Sequence, residues 1–169
     1  MEKKSKKIFL MACVIVPFLV YCVYYYAHVF KNAPYKFTEF KSFSIQWGPG
    51  DSLINKYNSA TGDYQFVNEH DSLIHMKVFL RTKELKMLHD TASVLGFWDW
   101  PTDERGDSTI RHNGKRSPRQ IITFNYQRKS KIVIFDDSFV GDPRLKEANR
   151  HMFKNVIAVL DEEAGRQKK

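Results

Sequence analysis

Residues 119–137, RQIITFNYQRKSKIVIFDD, decide the fold class. Ile122, Phe124 and Tyr126 alternate with other positions in the first half, and Ile132 and Ile134 share one face of the second. That is the two-residue period of strands with one buried side. Gln127-Arg128-Lys129-Ser130 lies between them, so the stretch reads as a β-hairpin with a basic tip.

Beyond the hairpin, Asp142-Pro143 offers an N-cap followed by proline at the first helical position. Leu145, Ala148, Met152, Val156 and Val159 then form an apolar helical stripe. Upstream, residues 102–118 are polar, carry Gly106, Gly114 and Pro118, and read as a long loop. Before that loop, Leu85, Leu88, Ala92 and Leu95 recur at helical spacing, with Thr82 as the expected cap and Gly96 as the stop. Phe97, Trp98 and Trp100 follow, three rings expected to close one edge of the core. Further back, Phe43, Ile45 and Trp47 alternate with Ser42, Ser44 and Gln46, and Gly48-Pro49-Gly50 ends that strand. Residues 55–59 and 64–68 flank a Thr61-Gly62-Asp63 turn, and residues 72–80 read as a longer strand covered on both faces. The order of strands, helix, hairpin and helix predicts one α+β domain over residues 37–165. It is expected to be an antiparallel sheet of about five strands with two helices packed on one face.

The remaining N-terminal sequence is of another kind. Residues 8–30, IFLMACVIVPFLVYCVYYYAHVF, contain no Asp, Glu, Lys or Arg, which at 1.5 Å per residue suffices to cross a hydrocarbon core of about 30 Å. The expectation is an N-terminal transmembrane helix acting as a signal-anchor. A cytoplasmic tail (residues 1–7) precedes it and a tether (residues 31–36) follows, and residues 166–169 form a basic C-terminal tail. Lysines in MEKKSKK place the N-terminus in the cytoplasm and the domain on the extracytoplasmic side, periplasmic if bacterial. A cleaved signal peptide and a lipobox at Leu10-Met11-Ala12-Cys13 are the alternatives.

Within TKELKMLHDTASVLGFWDWP, Gly96-Phe97-Trp98 and Trp100-Pro101 end a helix in glycine, aromatics and proline, and a hairpin and a terminal helix follow. This layout, over residues 43–160, resembles the emfourin-like family, small bacterial envelope domains related to a proteinaceous inhibitor of the metallopeptidase protealysin. The resemblance implies a non-enzymatic, inhibitor-like module of the cell envelope with a protein partner there. It carries no functional residue over. The chain departs from the family in lacking its Gly-rich first hairpin.

The chemistry-bearing residues are sparse in pattern. Cys13 and Cys22 both precede the domain, which excludes a thiol nucleophile or Cys-ligated zinc within it. His70, His75, His89, His112 and His151 have no HxxxH or HxH spacing. Asp99, Asp103, Glu104 and Asp107, and Asp136, Asp137 and Asp142, do not follow a calcium-loop pattern. Neither G-x-S-x-G nor a Gly-rich phosphate loop occurs. No catalytic residue, metal or cofactor is assigned.

Charge is unevenly spread within the formal +8. Residues 105–131 hold eight basic residues and only Asp107. Arg111, Lys115, Arg116, Arg119, Arg128, Lys129 and Lys131 are therefore candidates for a cationic edge that meets an anionic partner, including lipid headgroups. Nucleic acid is not expected. Trp98 and Trp100 are the candidate aromatic interface, with a core role as the alternative. The functional expectation is a membrane-anchored, non-catalytic protein-interaction module. An enzyme with a site assembled from scattered residues and a binder of anionic surfaces are the alternatives.

Overall fold

The computed structural model describes residues 2–31, 35–107, 111–112 and 115–167. Two units divide the chain, Met1–Tyr35 and Lys36–Lys169.

The first unit is one helix, α1 (Glu2–Lys31), with Pro17 inside it. Among the described residues no helix is long and apolar enough to cross a membrane. This corrects the expected transmembrane signal-anchor and, with it, the single-pass location and orientation.

The second unit begins with β1 (Phe40–Pro49), β2 (Asn55–Asn58), β3 (Asp63–Val67) and β4 (Leu73–Lys77), then helix α2 (Thr82–Val94). Two-residue strands β5 (Asp103–Glu104), β6 (Arg111–His112) and β7 (Lys115–Arg116) precede the long hairpin β8 (Pro118–Tyr126) and β9 (Ser130–Asp136). Helix α3 (Pro143–Gln167) closes the chain. One seven-stranded sheet runs β4-β3-β2-β1-β8-β9-β5, and β6 pairs with β7 separately. The sheet is therefore larger than the five strands expected, and mixed, because β5 lies parallel to β9. The expected long loop at residues 102–118 holds three of these strands; residues 108–110 and 113–114 lie outside the described residues.

Register explains which side chains are buried. Phe43 faces Phe124 and Ile45 faces Ile122 across β1 and β8, and Tyr57 and Tyr64 continue the same face on β2 and β3. All six are 3% exposed or less. The helices cover this face: Trp47 meets Phe153 of α3 edge-on, and His89 of α2 lies tilted against Trp98 and edge-on to Tyr126. On β9 the covered residues are Val133 and Phe135, not Ile132 and Ile134. Ile122 is opposite Val133, so register with β8 sends the two isoleucines to the other side. β4 is shorter than expected and lies at the sheet edge rather than between two covering layers; its Leu73 is 48% exposed.

The helix ends follow local chemistry. Arg81, not Thr82, occupies the N-cap position of α2 and makes no side-chain cap bond. Its guanidinium instead binds Glu84 at 2.5 Å and Glu163 of α3 at 3.0 Å, which lets both carboxylates sit buried. Gly96 adopts φ +75°, the left-handed stop expected after α2. At α3, Asp142 Oδ1 accepts the Arg144 amide at 2.9 Å, as the N-cap reading predicts. Asp142→Ala is expected to lower the unfolding free energy by about 1 kcal/mol, read from the urea midpoint. An unchanged midpoint would show that the cap bond contributes nothing.

Candidate functional site

Among the described residues, most cations of the basic segment have partners within the domain. Arg105 binds Asp103, Arg116 binds Asp51 at 3.1 Å, and Arg128 binds Glu39 at 2.5 Å. Arg119 makes a two-pronged pair with Asp136, Nε to Oδ1 at 2.6 Å and Nη2 to Oδ2 at 2.9 Å, and also holds Asp51. Its side chain is 11% exposed and that of Asp136 is 3%. The pairing raises the Arg119 pKa further, so this cation is permanent. Lys131 donates to the Trp100 carbonyl, and burial lowers its pKa against the pull of Asp99 and Glu104. Burial also lowers that of Lys129. The backbones of Arg111 and Lys115 lie in β6 and β7, while their side chains fall outside the described residues.

The aromatic candidates face inward. Trp100 is 7% exposed and donates Nε1–H to the Leu95 carbonyl at 3.2 Å. Trp98 lies edge-on to Phe124 and Tyr126, and Phe97 is fully buried beside both tryptophans. The rings cover the sheet, and the sequence motif marks the core.

Glu104 is the titratable group that the sequence hid. It lies on β5, fully buried, and Asn149 of α3 donates Nδ2–H to its Oε2 at 2.5 Å. Glu104 Oε1 and Asn149 Oδ1 have no hydrogen-bond partner among the described residues. Burial pushes the Glu104 carboxyl up to about 7, opposed by the Asn149 hydrogen bond and by Lys131. Among the described residues no three His, Cys, Asp or Glu side chains gather as a metal would need.

Two concavities stand out. One, of about 350 Å³, lies beside Arg119, with apolar walls from Trp47, Phe135 and Phe153. The other, of about 480 Å³, is a groove on the sheet face opposite the helices, lined by Ser44, Gln46, Lys56, Asn58, Gln65 and His75 among others. These groups are mostly neutral amides and hydroxyls. Its one carboxylate, Asp63, is held by Lys77 at 2.7 Å, and that hydrogen bond keeps its pKa low.

The groove ends at β4, whose outer edge has a definite polarity. Val78 donates to Gly62 at 2.7 Å and Asn68 donates to Ser72 at 3.0 Å, so positions 72, 74, 76 and 78 hydrogen-bond to β3. Alternation then turns the N–H and C=O groups of Leu73, His75 and Lys77 away from the sheet. The next outward position, Phe79, is occupied: Gln167 of α3 accepts its N–H at 3.2 Å and donates to its carbonyl at 3.1 Å. One side-chain amide thus makes both bonds that a neighbouring strand would make.

Comparison with family models, curated proteins and solved structures finds no match. The emfourin-like layout accordingly gains no support, and the chemistry of the site rests on its own geometry.

Proposed function

We propose that the unit Lys36–Lys169 is a non-catalytic protein-interaction module that receives an extended polypeptide along β4. The observation that carries this reading is the row of outward backbone groups at Leu73, His75 and Lys77. Strand addition satisfies such groups through main-chain hydrogen bonds, while flanking side chains supply selectivity. The amide-rich groove beside β4 offers hydrogen bonds to an incoming chain without concentrating charge. The strongest candidate for an enzyme, Glu104, lines neither concavity and makes its bond to Asn149 inside the core.

The test is photo-crosslinking of the full chain in its own cells, with the reactive side chain at position 75 or, as a control, at exposed position 86 on α2. A discrete polypeptide adduct from position 75, absent from position 86, is expected. No adduct at 75, or the same products from both positions, would end the reading.

A further inference from the structure

The edge of β4 is self-complementary, and we infer that its partner is a second copy of this chain, paired antiparallel with His75 opposite His75. The inference rests on the interaction-module reading and adds the identity of the partner. Among the described residues three outward positions are open, Leu73, His75 and Lys77, and Gln167 blocks the fourth. Two antiparallel copies can fill all three positions of each edge in only one register, the one centred on the middle residue. In that register Leu73 lies opposite Lys77 of the second copy, and the two-fold axis passes between the His75 residues. A closed two-fold contact uses the same patch twice and leaves no free β4 edge to grow a fibre.

The surroundings fit that pairing. Edge strands are commonly guarded by an outward lysine. Here the Lys77 ammonium turns back over its own sheet, to Asp63 at 2.7 Å and the Thr61 carbonyl at 3.0 Å, and leaves the backbone edge open. Leu73 and Phe79, 48% and 57% exposed, supply apolar surface along the same edge. Charge is complementary end to end. The acidic turn with Glu69 and Asp71 precedes β4, whereas Lys77, Arg81 and Lys83 follow or end it, so an antiparallel partner sets acidic against basic at both ends. Arg81 already serves Glu84 and Glu163, and Lys77 serves Asp63, which leaves Lys83 as the nearer cation.

Two measurements on the purified full chain test the register. Sedimentation velocity is expected to show a concentration-dependent dimer, and His75→Pro is expected to raise its dissociation constant at least tenfold. Proline there removes an outward N–H and takes no bond from β3, so the fold tolerates it as edge strands do. Circular dichroism confirms that this variant is folded. In a Cys13→Ser, Cys22→Ser background, His75→Cys is expected to form an interchain disulfide under mild oxidation. Directly opposed hydrogen-bonded residues have Cα atoms about 5.5 Å apart, within disulfide reach. Lys77→Cys, displaced along the strand from its own copy, is expected not to. A monomer at all concentrations, a dimer indifferent to His75→Pro, or equal oxidation at 75 and 77 would each overturn the inference. A position-75 photo-adduct with a different protein would overturn it too, yet leave the interaction module standing; no adduct at all would remove both.

Discussion

Glu104→Gln is expected to stabilise the protein by about 3 kcal/mol at pH 8 and to leave it almost unchanged at pH 4. Burial raises the folded carboxyl from the ordinary 4.5 to about 7. Below pH 4.5 the group is protonated in both folded and unfolded chains and sets no pH dependence. Between those values the unfolded chain ionises while the folded one holds its proton, so stability falls as pH rises, and the loss is complete once pH exceeds the folded value. Glutamine keeps the acceptor for Asn149, cannot ionise, and brings an NH₂ group to a site where Asn149 Oδ1 lacks a donor. Urea midpoints for both proteins at pH 4, 6 and 8 measure the effect. Asp63 and Asp103, held low by their bonds to Lys77 and Arg105, weaken both proteins equally in acid and cancel from the difference. Parallel stability curves from pH 4 to 8 would show that the Glu104 carboxyl titrates alike in the folded and unfolded chains.

Removing Arg119 is expected to have the opposite sign and a comparable size. Arg119→Met strands the Asp136 carboxylate, 3% exposed, without its two charged hydrogen bonds, a loss of about 3–5 kcal/mol. The double variant Arg119→Met with Asp136→Leu removes both charges from the same corner and is expected to recover most of that loss, because a buried pair adds little over apolar packing. Asp51, which also binds Arg119, is exposed and can turn to water. Chemical denaturation of the two singles and the double gives the coupling directly. A loss below about 1 kcal/mol for Arg119→Met would mean that Asp136 is solvated in ways its burial denies.

These two residues also mark where the sequence could be read and where it could not. Alternation made β1, β8 and β9 legible, and helical spacing located α2 and α3, because long elements repeat their pattern several times. β5 has two residues and no period to detect, so Glu104 looked like a turn carboxylate although it lies under α3. The run of cations looked unpaired because its counter-charges are distant in sequence: Asp51 and Glu39 come from the other end of the domain. Local charge counting cannot see such partners. The open edge was hidden for a related reason, since residues 72–80 are apolar enough to resemble an interior strand, and only pairing order puts them last.

The carboxamide of Gln167 at Phe79 has a consequence for how the edge responds to its own helix. It lies in the last turn of α3, where helices fray first. Each time that turn unwinds, the Phe79 amide is released and the receptive strand grows from three positions to four. Under the proposed strand addition, edge length and helix length become two readings of one equilibrium: a longer guest would melt the end of α3, and whatever firms up that end would shorten the guest that can be held.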